Sequence, residues 1–187
     1  KKRVVRHLYG IIAPVRGDYD FAVSKFRTDA KLFMRGVYSN MERELFDRAF
    51  ENRTNNSIPT ILIGNSASAT NEHFEALDLL SELQRISNFR VFCPLSYGDK
   101  DYANKVIEYG KRKLGDSFEP ILDFMKKEEY IELLASVDVA IMNHRRQQGL
   151  GNIGILLRLG KKVYLRPETS TFQHYTDLGV KVFDIAD

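Results

Sequence analysis

Short apolar runs alternate with segments of helical periodicity over the last two thirds of the chain. Runs rich in β-branched and aromatic residues predict strands, and segments with apolar residues three and four apart predict the helices between them. The predicted strands cover residues 58–64, 89–95, 118–122, 137–142, 162–165 and 180–183. The predicted helices cover residues 71–80, 101–114, 127–135, 152–159 and 172–178.

This alternation predicts the fold class. Strands and helices that follow one another at this spacing form a parallel sheet with helices on both faces, so we expect an α/β, Rossmann-like fold. Ligands of such sheets bind outside the carboxyl ends of the strands. Polar residues and glycines are concentrated in four of the loops there, at residues 64–71, 95–101, 143–152 and 166–172.

Residues 1–57 lack the pattern of a self-sufficient domain. An apolar run at residues 3–13 is strand-like, and residues 14–18 combine Pro, Gly and Asp as turns do. Residues 20–26 and 40–52 have helical character.

The loop after the first predicted strand of the sheet is a candidate anion site. It is small and polar, and it opens a helix, so its N–H and hydroxyl groups could hold an anion at the helix N-terminus. It matches neither Gly-x-Gly-x-x-Gly nor a P-loop. A structural turn with Thr70 or Asn71 as helix N-cap is the open alternative. The candidate contacts are Gly64, Asn65, Ser66 and Asn71.

A second candidate loop follows the fourth predicted strand and also opens a helix. Arg146, the second of two adjacent arginines in this loop, can contact a phosphate through two N–H groups. Gly149 and Gly151 permit close approach of a ligand to the backbone. Two adjacent arginines are also typical of a solvated loop, but the Gln pair and the glycine spacing favour diphosphate binding. The candidate contacts are Arg146, Gln147, Gln148, Gly149, Gly151 and Asn152.

Tyr97 follows the second predicted strand, within Ser96–Asp99. Its ring could stack on a ligand ring and its hydroxyl could donate to a phosphate. Packing at the edge of the sheet is the alternative, and composition does not decide between them.

Several other kinds of site are excluded by spacing. The four histidines lack zinc-site spacing, and no Gly-x-Ser-x-Gly motif is present. Cys93 is the only cysteine and lies in an apolar run, which indicates a buried thiol. No apolar stretch approaches the ~18–20 residues of a membrane span. The chain therefore offers a ligand cradle without an identifiable general base.

Composition and charge narrow the class of partner. Of the 187 residues 43% are hydrophobic and 28% charged, as in globular proteins, and the net charge is +3. Residues 1–57 carry 12 basic and 7 acidic side chains, whereas residues 58–187 carry 16 and 18. The basic excess could attract an anionic membrane or a phosphorylated ligand, or it could belong to a solvated surface. No nucleic-acid recognition motif accompanies it, so nucleic acid is not an expected partner.

Several motifs resemble one known family. Residues 61–66 with 71–73, and the Arg-Gln-Gln-Gly-Leu-Gly stretch at 146–151, are similar to TDP-N-acetylfucosamine:lipid II N-acetylfucosaminyltransferases. The similarity includes residues 13–19 and 94–97 and spans nearly the whole chain. These are GT-B glycosyltransferases that build a bacterial surface polysaccharide on a polyprenyl diphosphate carrier.

The resemblance implies an organisation and a function. Residues 1–57 would end an N-terminal domain and form the crossover, and residues 58–187 would be the nucleotide-sugar-binding, Rossmann-like C-terminal domain. The implied partners are a TDP-sugar donor and, through the absent N-terminal domain, a lipid-linked acceptor. The implied location is cytoplasmic, peripheral at the inner face of the bacterial cytoplasmic membrane.

The resemblance also carries implications for catalysis. The acceptor site and catalytic base would lie outside this chain, so we expect the chain alone to be inactive. No metal or other cofactor is expected, in agreement with the lack of an Asp-x-Asp motif. A non-catalytic nucleotide- or sugar-phosphate-binding module, or another sugar-nucleotide enzyme, is the alternative.

Overall fold

Helices and strands alternate along the chain, which a computed structural model describes over residues 2–34, 43–51 and 57–186. The helices in these ranges are α1 Lys2–Val5, α2 Arg16–Phe26, α3 Arg43–Glu51, α4 His73–Leu83, α5 Lys100–Leu114, α6 Lys127–Ser136, α7 Leu150–Arg158 and α8 Ser170–Asp177. The strands are β1 Gly10–Ala13, β2 Lys31–Met34, β3 Thr60–Ile63, β4 Arg90–Pro94, β5 Phe118–Ile121, β6 Val139–Met142, β7 Lys162–Leu165 and β8 Phe183–Asp184.

The main sheet has six parallel strands in the order β5-β4-β3-β6-β7-β8. Counted from β3, this is the 3-2-1-4-5-6 order of Rossmann folds, in which successive strands are added to one side of the first strand and then, from the fourth strand on, to its other side. Here the change of side falls between β3 and β6. Strands β1 and β2 form a separate two-stranded parallel sheet.

Apolar side chains cover both faces of the main sheet. Because successive residues of a strand point to opposite faces, Leu62 joins one core, and Ile61 and Ile63 join the other. Helices α3, α6 and α7 bury their apolar sides in the first core, and α4 and α5 bury theirs in the second. The predicted α/β architecture with helices on both faces is therefore confirmed.

The N-terminal segment differs from its prediction. The strand-like run at residues 3–13 contains the short helix α1, and only its last four residues form β1. Helix α2 begins at Arg16, inside the predicted turn. Asp18 lies in its first turn, where a carboxylate interacts favourably with the helix dipole. Of the predicted helix at 40–52, residues 43–51 form α3, and the others lie outside the described residues.

The C-terminal elements are shifted by a few residues. Helix α8 begins at Ser170 because the Thr169 side chain caps it, accepting a hydrogen bond from the Phe172 N–H at 3.3 Å. The last strand is restricted to Phe183–Asp184, the two residues that pair with β7.

Two helical glycines provide a test of core packing. A Cβ on Gly110 in α5 would lie 2.5–2.7 Å from carbon atoms of the buried Phe118 ring, whereas a Cβ on Gly154 in α7 would meet only the Tyr175 hydroxyl at 3.7 Å. We expect Gly110→Ala to lower the free energy of unfolding by about 1–3 kcal/mol through overpacking. Gly154→Ala should raise it by roughly 0.5–1 kcal/mol through helix propensity. Urea denaturation measures both, and equal stabilisation by the two variants would contradict this packing.

Candidate functional site

The loop after β3 is held in shape by its own side chains. Asn71, expected as a helix cap or a ligand contact, is buried beneath the loop. Its Oδ1 accepts from the Asn65 N–H at 3.1 Å, and its Nδ2 donates to the carbonyl oxygens of Ser66 and Ser68, both at 3.1 Å. The N-cap position of α4 is Glu72, so the prediction of Thr70 or Asn71 as cap is wrong. The Asn71 amide is used to brace the loop instead.

Glycine is required where this loop leaves β3. Gly64 has φ +63°, and a Cβ there would lie 2.6 Å from His73 Nε2 and 2.8 Å from Asn71 Oδ1. Both the backbone conformation and the close approach therefore exclude a larger residue. The buried Asn65 and Ser66 follow directly and lie at the carboxyl end of β3.

A chain of hydrogen bonds joins the loops that follow β3, β4 and β6. Thr70 Oγ1 donates to Gln148 Oε1 at 2.6 Å, and Gln148 Nε2 donates to Asn65 Oδ1 at 3.4 Å. Asn65 Nδ2 donates in turn to the Tyr97 hydroxyl at 2.9 Å. Three residues predicted on separate loops, Asn65, Tyr97 and Gln148, are thus brought into one polar cluster.

The loop after β6 ends at the N-terminus of α7. Gly149 is the N-cap residue with φ +65°, and Gly151 and Asn152 lie in the first turn. The two arginines differ in their surroundings. Arg145 forms an ion pair with Glu72 at 2.8 Å, whereas Arg146 is exposed and has no ion-pair partner within the described part of the chain. Arg146 is therefore the cation available to a ligand.

A first cavity of about 260 Å³ opens beside the polar cluster. Its wall is mostly apolar and includes three of the predicted residues, Asn65, Tyr97 and Asn152. The full lining is Asn65, Pro94, Ser96, Tyr97, Ile121, Asp123, Phe124, Met125, Lys127, Tyr130 and Asn152.

Two parts of this lining were missed in the sequence. Tyr130 lies in the predicted helix at 127–135 and is not among the candidate contacts, but its hydroxyl accepts a hydrogen bond from Asn152 Nδ2 at 3.0 Å. Burial raises the pKa of the Tyr130 hydroxyl. Residues 123–125 follow β5, so the rule that ligands bind at the carboxyl ends of strands would have indicated them as well.

A second cavity of about 590 Å³ lies between the first turns of α2 and the loops after β6 and β7. Arg146 and Gln147 line this cavity and not the first one, so the predicted contacts divide between two spaces. The full lining is Gly17, Asp18, Phe21, Arg145, Arg146, Gln147, Pro167, Glu168, Thr169, Ser170 and Gln173.

Two buried histidines lie under the loops. A Cβ on Gly64 would contact the ring of His73, and a Cβ on Gly149 would lie 3.0 Å from His144 Cε1. Burial lowers the pKa of each imidazole to about 4, with His144 also acting on His73 and the Arg146 charge acting on His144. Each Nε2 lacks a hydrogen-bond partner among the described residues. Both rings are therefore neutral at pH 7.

Residues 2–34, 43–51 and 57–186 contain neither a membrane-spanning helix nor a cluster of potential metal ligands. No helix in these ranges is both long and apolar enough to cross a bilayer. No group of three or more His, Cys, Asp and Glu side chains there is placed to hold a metal ion. Independence from metal stays a prediction.

Several solved structures share this fold. A glycosyltransferase from Rickettsia africae matches with TM-score 0.64 and 15% identity over 88% of this chain and 47% of its own. A trehalose-phosphate synthase from Burkholderia xenovorans gives TM-score 0.61 and 12% identity over 86% and 41% of the two chains. The N-terminal domain of Candida albicans trehalose-6-phosphate phosphatase gives 0.60 and 13% over 84% and 39%. The fold is that of GT-B glycosyltransferases, and the chain spans less than half the length of these structures.

The family follows from sequence. The family described as 4-alpha-L-fucosyltransferase, glycosyl transferase group 56, matches residues 1–185. The chain belongs to this glycosyltransferase family, which confirms the resemblance found in its motifs.

The buried histidines make stability depend on pH. In the unfolded chain these two imidazoles become protonated below pH ~6.5, whereas in the folded chain they become protonated only near pH 4. Because the unfolded state binds more protons between these values, the free energy of unfolding should fall as pH drops from about 6.5 to about 4. The loss should reach on the order of 3 kcal/mol per histidine below both values.

Urea denaturation at a series of pH values measures the slope, and NMR titration of the histidine Cε1–H resonances identifies its source. Two of the four rings should stay neutral at pH 5. Titration of all four near pH 6.5 would contradict the assignment.

Proposed function

We propose that this chain is the donor-binding part of a glycosyltransferase that transfers an acetamido-deoxy sugar, such as N-acetylfucosamine, from a TDP-sugar to a polyprenyl-diphosphate-linked glycan. The product would belong to a bacterial surface polysaccharide. One observation carries the proposal. The Asn65–Gln148 cluster, the exposed Arg146 and the N-terminus of α7 meet where the strand order reverses between β3 and β6, the usual ligand position in such sheets.

The first cavity is suited to the nucleoside. Its volume of about 260 Å³ is below the ~300–1,000 Å³ of pockets that enclose whole ligands. It therefore fits one ring system better than a complete nucleotide sugar. Tyr97 and Phe124 offer exposed aromatic faces for stacking, and Pro94 and Ile121 offer an apolar wall for the thymine methyl group. Asn65 and Ser96 supply hydrogen bonds.

The diphosphate is assigned to the loop after β6. The guanidinium of Arg146 can donate to two phosphate oxygens, and the N–H groups at the start of α7 can donate to a third. Gly149 and Gly151 leave the backbone accessible, since a Cβ on Gly151 would meet nothing within 4 Å. Negative charge develops on the nucleoside diphosphate as it departs, so these groups would stabilise the transition state.

Binding of the acceptor and of the membrane would be functions of the complete enzyme. Arg3, Arg6, Lys25, Arg27 and Lys31 are exposed on the described N-terminal segment. This charge supports peripheral binding at the inner face of the cytoplasmic membrane, where a polyprenyl-linked acceptor lies. We expect the isolated chain to bind the donor without transferring sugar.

Replacing Arg146 tests the diphosphate assignment. Arg146→Ala should weaken TDP binding about tenfold to a hundredfold, because one charge-assisted contact contributes roughly 1.5–3 kcal/mol. Arg145→Ala is the matched control, since that side chain is already paired with Glu72. Isothermal titration calorimetry measures both affinities, and thermal melting shows whether each variant is folded. Equal losses in the two variants, or no loss in Arg146→Ala, would move the diphosphate to the loop after β3.

Sedimentation with liposomes tests the membrane assignment. Each basic residue near an anionic surface contributes about 1 kcal/mol, and salt screens the attraction. The full-length protein should bind vesicles containing phosphatidylglycerol at low salt and release them at high salt. Equal binding to neutral phosphatidylcholine vesicles at low salt would count against it.

A further inference from the structure

The second cavity adjoins the first across the loop after β6. Gln147 lines the second cavity, and the next residue, Gln148, donates a hydrogen bond to Asn65, which lines the first. Arg146 also faces the second cavity. A ligand whose phosphates contact Arg146 would therefore extend from one cavity towards the other.

The far wall of the second cavity has a different chemistry. Ser170 Oγ donates to Asp18 Oδ1 at 2.7 Å, and Asp18 Oδ2 has no hydrogen-bond partner among the described residues. A second negative group such as phosphate would be repelled by this carboxylate, whereas a hydroxyl could donate to it. Gln147 adds an amide, and Phe21, with 61% of its surface exposed, adds an aromatic face. This combination suits a neutral, hydroxyl-bearing ring.

Helices α2 and α8 approach each other closely at this wall. A Cβ on Gly17 would lie 2.9 Å from Ser170 Cβ, so only glycine permits the present distance. The contact fixes the separation between Asp18 and the start of α8. The wall is thus built by residues from both ends of the chain.

We propose that the second cavity is a glycosyl subsite, in which Asp18 accepts a hydrogen bond from a hydroxyl of the donor sugar and Phe21 contacts a face of its ring. This inference rests on the proposed function, because it requires the diphosphate at Arg146. It assigns recognition of the sugar to the segment 17–21, which lies outside the main sheet.

The test compares TDP with TDP-glucose on the purified chain by calorimetry. Asp18→Asn and Asp18→Ala should weaken TDP-glucose at least tenfold and change TDP affinity less than twofold. Gly17→Ala should act in the same direction by displacing Asp18 from Ser170. Asp20→Asn is the matched control, because Asp20 is on the same helix but does not line the cavity. Its carboxylate forms an ion pair with Arg16 at 3.0 Å. Asp20→Asn should leave both affinities unchanged.

The outcomes separate the two proposals. An unchanged TDP-glucose to TDP ratio in folded Asp18 and Gly17 variants overturns the glycosyl subsite and leaves the proposed function intact. Equal loss of both ligands in the Asp18 variants also overturns it, since Asp18 would then act on the nucleotide. Failure of the unmodified chain to bind either ligand overturns the proposed function and the subsite together. An NOE between the Phe21 ring and sugar protons of TDP-glucose would support the placement directly.

Discussion

The parallel pairing of β3 with β6 is the contact on which the site depends. Ile61, Leu62 and Ile63 align with Val139, Ala140 and Ile141, and the Gly64 N–H continues the ladder to the Ile141 carbonyl at 3.0 Å. The chain then turns towards β4 on one side and towards β7 on the other, so the two loops diverge and leave a crevice. Asn65 and Gln148, 83 residues apart in sequence, meet there only because these strands are neighbours.

Charge around the crevice is almost entirely compensated within the protein. Arg145 pairs with Glu72, and Arg166 pairs with Glu75 and Glu168 while donating to the Asn143 carbonyl. The hydrogen-bonded cluster of Asn65, Thr70, Tyr97 and Gln148 consists of neutral amides and hydroxyls. Burial keeps the two histidines beneath the loops uncharged. Buried polar groups that are hydrogen-bonded to one another give the loops a defined shape. A ligand anion would then find its positive partners at the surface, in one arginine and one helix dipole.

The two parts of the chain are not independent around the site. Helix α3 packs on α6 and places Ala49 in the core of the main sheet. Helix α2 packs on α8 and contributes Gly17, Asp18 and Phe21 to the second cavity. The expected boundary at residue 57 stays a prediction, but residues on both sides of it line one space.

The sequence by itself determined the order of elements and the loops that carry polar groups. Strand and helix periodicity is local, so the six-stranded parallel sheet and the position of Arg146 in the loop before α7 followed from it. Contacts between distant loops were decided by the tertiary structure. Asn71 points inward because Asn65 and Ser66 need its amide, and Tyr130 enters the first cavity because Asn152 lies across from it. The division of the predicted contacts between two cavities has the same origin: which loops face one another depends on strand order, and strand order is set by packing across the whole chain.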